Sequence, residues 1–140
     1  MRMIVYDGPK LPFGDNTFDV CYSNSVIEHV GSWEDQQRFA AEVRRMAPQY
    51  YVQTPNRYFF VEPHLITPFI HFLPRGIARK LMKNFTVHGL ITRPSQQWID
   101  EFLAQTRLLT VSEMRTLFPD AAIFREKFLG MTKSIIAIRK

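Results

Sequence analysis

Two short apolar runs with a capped helix between them constrain this chain more than any other feature. Phe18–Tyr22, broken only by Asp19, and Tyr50–Gln53 read as strands buried on both faces. Between them Ser32 opens a helix. Its hydroxyl can cap the amide of Asp35, and Asp35 can reach back to complete a capping box. Phe39, Val43 and Met46 fall at i, i+4 and i+7, which gives that helix one buried stripe, and Pro48 ends it.

The same alternation continues on both sides. Met3–Tyr6 is an earlier apolar run stopped by Asp7-Gly8-Pro9, and Gly14-Asp15-Asn16 is a further turn. Arg57–Arg93 is less regular and rich in Pro and Phe, with a short helix predicted over 77–85 that carries Arg79, Lys80 and Lys83 on its polar face. Helices are predicted over Ser95–Thr106 and Val111–Phe118, the second with a Thr110/Glu113 capping box. Ala121–Leu129 and Ser134–Ile138 close the chain as two strands around Gly130. The alternating part argues a parallel α/β sheet, and the closing pair an antiparallel edge.

Composition narrows the class. The 140 residues suit a single domain over 1–140, and 46% hydrophobic content leaves no reason to expect disorder. The one cysteine, Cys21, excludes an internal disulfide and reads as a buried, inert thiol. There is no signal-peptide pattern and no apolar run near the ~20 residues that span a bilayer, so a cytoplasmic protein is expected. The net charge of +5 is uneven: residues 1–60 hold six Lys/Arg against seven Asp/Glu, and residues 61–140 twelve against six. That asymmetry fits either an anionic partner or a solvated basic surface. Nucleic acid is disfavoured, because no stacking motif or dense Lys/Arg run accompanies the charge. The four histidines are scattered without zinc-type spacing, so no metal is expected.

Three stretches carry a resemblance. YDGPKLPFGDNTFDVCYSNSVIEHV has an acid after a strand, an LPF turn, FD entering the next strand, and then EH. RFAAEVRRMAPQYYVQTPN supplies the following helix and strand, and LTVSEMRTLFPDAAIFREKFLGMTKSIIAIRK a last helix and strand pair. In that order they resemble the middle and C-terminal part of class I S-adenosylmethionine-dependent methyltransferases of the type 11 kind. The resemblance implies a partial Rossmann-like sheet, mostly parallel, with a C-terminal antiparallel strand pair that places Ser134–Ile138 between Tyr50–Gln53 and Ala121–Leu129. It implies S-adenosylmethionine as cofactor and a small-molecule, sugar-linked or lipid-linked methyl acceptor.

One part of the family pattern has no counterpart. No GxGxG-like string occurs among Gly8, Gly14, Gly31, Gly76, Gly89 and Gly130. In the family that turn lets backbone amides approach the cofactor, and a following strand ends in the acid that holds the ribose. The resemblance therefore implies a truncated member, a fragment or a gene model that starts late, with impaired transfer and weak or no cofactor binding. A noncatalytic α/β remnant, serving as a binding or assembly module, is the competing expectation. With its neighbours in the family sheet lacking, the Met3–Tyr6 strand is expected either to re-pair beside Phe18–Tyr22 or to leave open edges that a homodimer covers.

The resemblance also distributes roles. Asp7 would accept the adenine amino group with the Gly8 amide facing the ring, although Asp before Gly-Pro is also an ordinary turn former. Leu11 packs near the adenine or, the better reading, plugs the core. Ser23 and Asn24 follow the strand at its carboxyl end, where open α/β sheets bind ligands. Glu28 and His29 form the catalytic candidate: methyl transfer needs alignment above all, but a hydroxyl acceptor needs a base such as His29. The alternative is that the pair only closes the turn before Gly31. Asn56, Arg57, Glu62 and His64 follow the next strand and are expected to read the substrate. Residues 57–107 are taken as an irregular substrate or lid insertion. Its Leu65–Leu81 part mixes apolar and basic residues in a way that suits a lid or, alternatively, peripheral membrane contact. Trp33 and Trp98 read as packing residues; His71 and His88 have no evident partner.

Overall fold

The computed structural model describes residues 10–62 and 65–140. Four strands form one sheet: β1 (Val20–Asn24), β2 (Gln49–Pro55), β5 (Ala122–Phe128) and β6 (Met131–Arg139), in the order β1-β2-β6-β5. β6 lies between β2 and β5, as the resemblance implies. The sheet is mixed rather than mostly parallel. Only β1 and β2 run parallel, joined through helix α1 (Trp33–Met46), while β6 is antiparallel to both β2 and β5. The chain itself dictates this. A parallel pair needs a crossover, which α1 provides, whereas β5 and β6 are joined by Leu129 and Gly130 alone. Both of those residues have positive φ, 48° and 79°, the backbone of a tight hairpin that reverses the strand.

α1 and α5 (Val111–Leu117) lie on one face of the sheet. Tyr50, Val52, Ile135 and Ala137 pack there against Ala40, Val43, Met114 and Phe118. Phe18–Tyr22 reads as a strand buried on both faces, but Val20 is 54% exposed and Tyr22 71%, and on the same open face Phe124 of β5 is 54% exposed. Among the described residues nothing covers that second face, where Tyr22 stacks on Tyr51 at 5.2 Å. β1 also starts two residues later than the apolar run, and Phe18 stands outside it, edge-on to Phe13. Met3–Tyr6, and with it the expected re-pairing, lies outside the described residues.

The insertion is largely helical: the helices expected over 77–85 and 95–106 are present, and a further short one lies between them. After the short pair β3 (Val61–Glu62) and β4 (Thr67–Pro68) come α2 (Arg75–Phe85), α3 (Val87–Thr92) and α4 (Gln96–Gln105). They enclose a second core of Leu65, Ile70, Ala78, Met82 and Ile99. α3 crosses so close to α2 that a Cβ on Gly89 would meet the Met82 carbonyl oxygen at 1.9 Å, so only glycine fits. Thr86 stitches the crossing, donating to that same carbonyl and accepting from the Gly89 amide. His88 stacks on Trp98, which stacks on Phe102.

Both predicted capping boxes are present. In the first, the hydrogen bond from Ser32 and then that from Arg38 hold the Asp35 carboxyl down to about 2. A depressed carboxylate stabilises the fold above its unfolded value near ~4 and loses that contribution as pH falls towards 2. Asp35→Asn is expected to flatten the stability profile between those pH values, measured by urea unfolding at stepped pH. An unchanged slope would show that the box does not act on stability.

Candidate functional site

The carboxyl ends of β1 and β2 lie side by side and present the polar residues of interest on one edge. Ser23 is buried, and its Oγ has no hydrogen-bond partner among the described residues. Asn24 follows, exposed. The chain then reverses at Ser25 (φ 52°), whose amide donates to the Gln53 carbonyl at 3.0 Å and whose hydroxyl donates to Gln53 Oε1 at 3.1 Å. A 3-10 turn over Ile27–His29 comes next.

That turn separates Glu28 from His29. Glu28 is fully buried, and its Oε2 accepts from the Thr54 hydroxyl at 2.9 Å. Its backbone carbonyl accepts from the Arg107 amide at 2.8 Å. His29 faces outward with Nδ1 at 3.4 Å from the Thr106 hydroxyl.

Gln36 fastens the turn to the rest of the fold. Fully buried on α1, it donates through Nε2 to the carbonyls of Ile27 and Arg107, at 3.0 and 2.8 Å. Its Oε1 accepts from Arg107 Nη1 at 2.7 Å. Arg107 also pairs with Glu113 and lies 4.8 Å over the Trp33 ring. Burial works to raise the Glu113 carboxyl, but the Thr110 amide and the Arg107 guanidinium prevail and hold it below its usual range. Burial alone pushes the Cys21 thiol up, so it stays protonated and unreactive.

At the end of β2, Asn56 is buried between chain segments. Its Nδ2 donates to the Thr132 carbonyl and its amide to the Lys133 carbonyl, while Oδ1 has no partner among the described residues. The Arg57 amide donates to Leu109, and the Arg57 carbonyl lies 3.1 Å from His71 Nε2. A cavity of about 470 Å³ opens between this edge and the helical insertion. Gly31, Arg57, Thr106 and Arg107 line it on the sheet side. Ile70, His71, Arg75, Met82 and Phe102 face them from the insertion.

The structure thus brings Ser23, Asn24, Glu28, His29, Asn56 and Arg57 to one edge. Leu11 is not there. It is half-buried, held by its amide to Glu42 Oε2 at 2.8 Å and by Arg45 on its carbonyl, and among the described residues it joins neither core, where a core plug was expected. Glu62 pairs across β3–β4 with Thr67. Asp7, Gly8 and His64 lie outside the described residues. Gln36, Thr54, Thr106 and Arg107 escaped the sequence reading. For Gln36 a signal existed, since it falls at i with Ala40 and Val43 at i+4 and i+7, a polar residue on a buried stripe. Among the described residues no three His, Cys, Asp or Glu side chains gather as a metal site requires, and no helix is long and apolar enough to cross a membrane.

Comparison with known proteins agrees with this geometry. Residues 1–49 match a family model described as a methyltransferase domain. No curated protein compared with the chain matches it in sequence. Among solved structures, the fold is similar to that of a SAM-dependent methyltransferase from Methanosarcina mazei, with a TM-score of 0.50 and 16% identity over 96% of this chain. The chain spans 64% of that protein's length. An α/β fold with a mixed sheet and a polar carboxyl edge is thus joined to a methyltransferase-domain sequence. The N-terminal third of the chain is similar to a methyltransferase domain, and its fold to that of a SAM-dependent methyltransferase.

Proposed function

We propose that this chain serves S-adenosylmethionine-dependent methyl transfer to a small acceptor held in the cavity under the insertion. The observation that carries the reading is the buried Ser23 hydroxyl at the end of β1, without a partner among the described residues, followed along the same edge by an outward-facing His29 whose neighbour Thr106 lines the cavity. A buried hydroxyl favours a hydrogen bond, and a polar ligand at the strand edge supplies one. The donor set fits the methionine end of the cofactor at Ser23 and Asn24, with Asp7 and Gly8 assigned to the adenine.

When bound, the cofactor offers an electrophilic methyl group on a sulfonium, open to in-line attack. The chain's own task is then alignment and proton removal. Glu28, gripped by Thr54, is a positioning residue that fixes the turn on which His29 sits. His29 takes the proton lost by a hydroxyl acceptor as the new O–C bond forms. Asn56 and Arg57, with Glu62 and His64, are assigned to the acceptor, and the insertion excludes water from it.

Calorimetric titration with S-adenosylmethionine tests the reading. Saturable one-to-one binding is expected, with Kd on the order of 1 mM. It is weak because these residues contain no glycine-rich turn and no ribose-binding acid. Absence of saturable binding at several times that concentration would favour a noncatalytic module instead.

A further inference from the structure

The cavity has a chemical bias that methyl transfer alone does not require. Arg57, His71, Arg75 and Arg107 all line it, and among the described residues no carboxylate does. The three guanidiniums are not equivalent. Arg107 is committed to Glu113, Gln36 and the Trp33 ring, so its charge is largely compensated. Arg57 and Arg75 are exposed and meet no carboxylate among the described residues. Arg38, Arg45, Arg79 and Arg139, away from the cavity, each pair with an acid, so their charge is compensated where that of Arg57 and Arg75 is not. The opposite wall is apolar, formed by Leu65, Ile70, Met82, Phe102 and Leu103. The volume of about 470 Å³ suits a small organic molecule.

We infer that the cavity takes an amphiphilic anion, with a carboxylate or phosphate head between Arg57 and Arg75 and an apolar body against the insertion wall. Guanidinium forks match both head groups in two-point hydrogen bonding, and a water-poor wall strengthens that contact. The binding stands on the cavity's own residues. That the anion is the methyl acceptor rests on the methyl-transfer reading.

Two-dimensional NMR titration of the 140-residue chain with octanoate, octyl phosphate, 1-octanol and acetate tests the assignment. Octanoate and octyl phosphate should shift the Met82 and Leu103 amides and bind at least about tenfold more tightly than either octanol or acetate. The double variant Arg57→Gln/Arg75→Gln should lose the preference over octanol while octanol binding and the remaining spectrum stay as they were. Arg115→Gln, which removes one charge away from the cavity, should keep the preference. Equal affinity for octanoate and octanol, or a preference that survives the double variant, would overturn the proposal. Octanoate binding without any effect of S-adenosylhomocysteine near Ser23 would sink methyl transfer and leave the anion site. The reverse result would sink only the anion site.

Discussion

Gln36→Leu is expected to lower folding stability by about 3 kcal/mol, although leucine fills nearly the same space. Gln36 is fully buried, so packing is conserved and the loss is polar. The carbonyls of Ile27 and Arg107 lose their donor and Arg107 Nη1 loses its acceptor. Each orphaned buried group costs about 1–3 kcal/mol. Arg107 keeps Glu113 and Trp33, which holds the total below the sum of three such losses. Urea unfolding of the variant, set beside Gln37→Leu on the exposed face of the same helix, measures it. A difference between the two below about 1 kcal/mol would mean that water replaces the Gln36 amide.

His29→Gln is expected to reduce kcat by about 10²- to 10⁴-fold at saturating cofactor, with KM and stability little changed. Glutamine keeps a polar side chain near Thr106 but cannot accept the acceptor's proton. Because His29 is exposed, its replacement leaves the core intact. Turnover, followed as S-adenosylhomocysteine formed, separates this from a positioning effect. A loss confined to KM would move His29 from proton acceptor to substrate contact.

The elements of this fold were legible where local chemistry is strong. Ser32 with Asp35 and Thr110 with Glu113 announce their helices, because a capping box is written within four residues. The position of β6 between β2 and β5 was legible only through the family resemblance, since strand order is a long-range property. Within the insertion, α2 and α4 were legible from local pattern over 77–85 and 95–106, whereas the six-residue α3 was not, because its signal lies in packing. Gly89 marks a close helix crossing, yet in isolation it looks like a helix breaker. The exposed face of Val20, Tyr22 and Phe124 was equally hidden, because an apolar strand does not record what covers it. At the site, strand-end residues could be read from the order of elements. Arg107, 71 positions from Gln36, could not be.

On the proposed reading, the cofactor meets this chain at the carboxyl end of β1. An NMR titration of the isotope-labelled chain with S-adenosylhomocysteine locates that contact even when binding is weak. The largest amide shifts are predicted at Ser23, Asn24, Ser25 and the Ile27–His29 turn, with Ala121 and Arg139 at the opposite end of the sheet unmoved. Shifts centred on Ala121 and Arg139, or none at the β1 edge at saturating ligand, would contradict it.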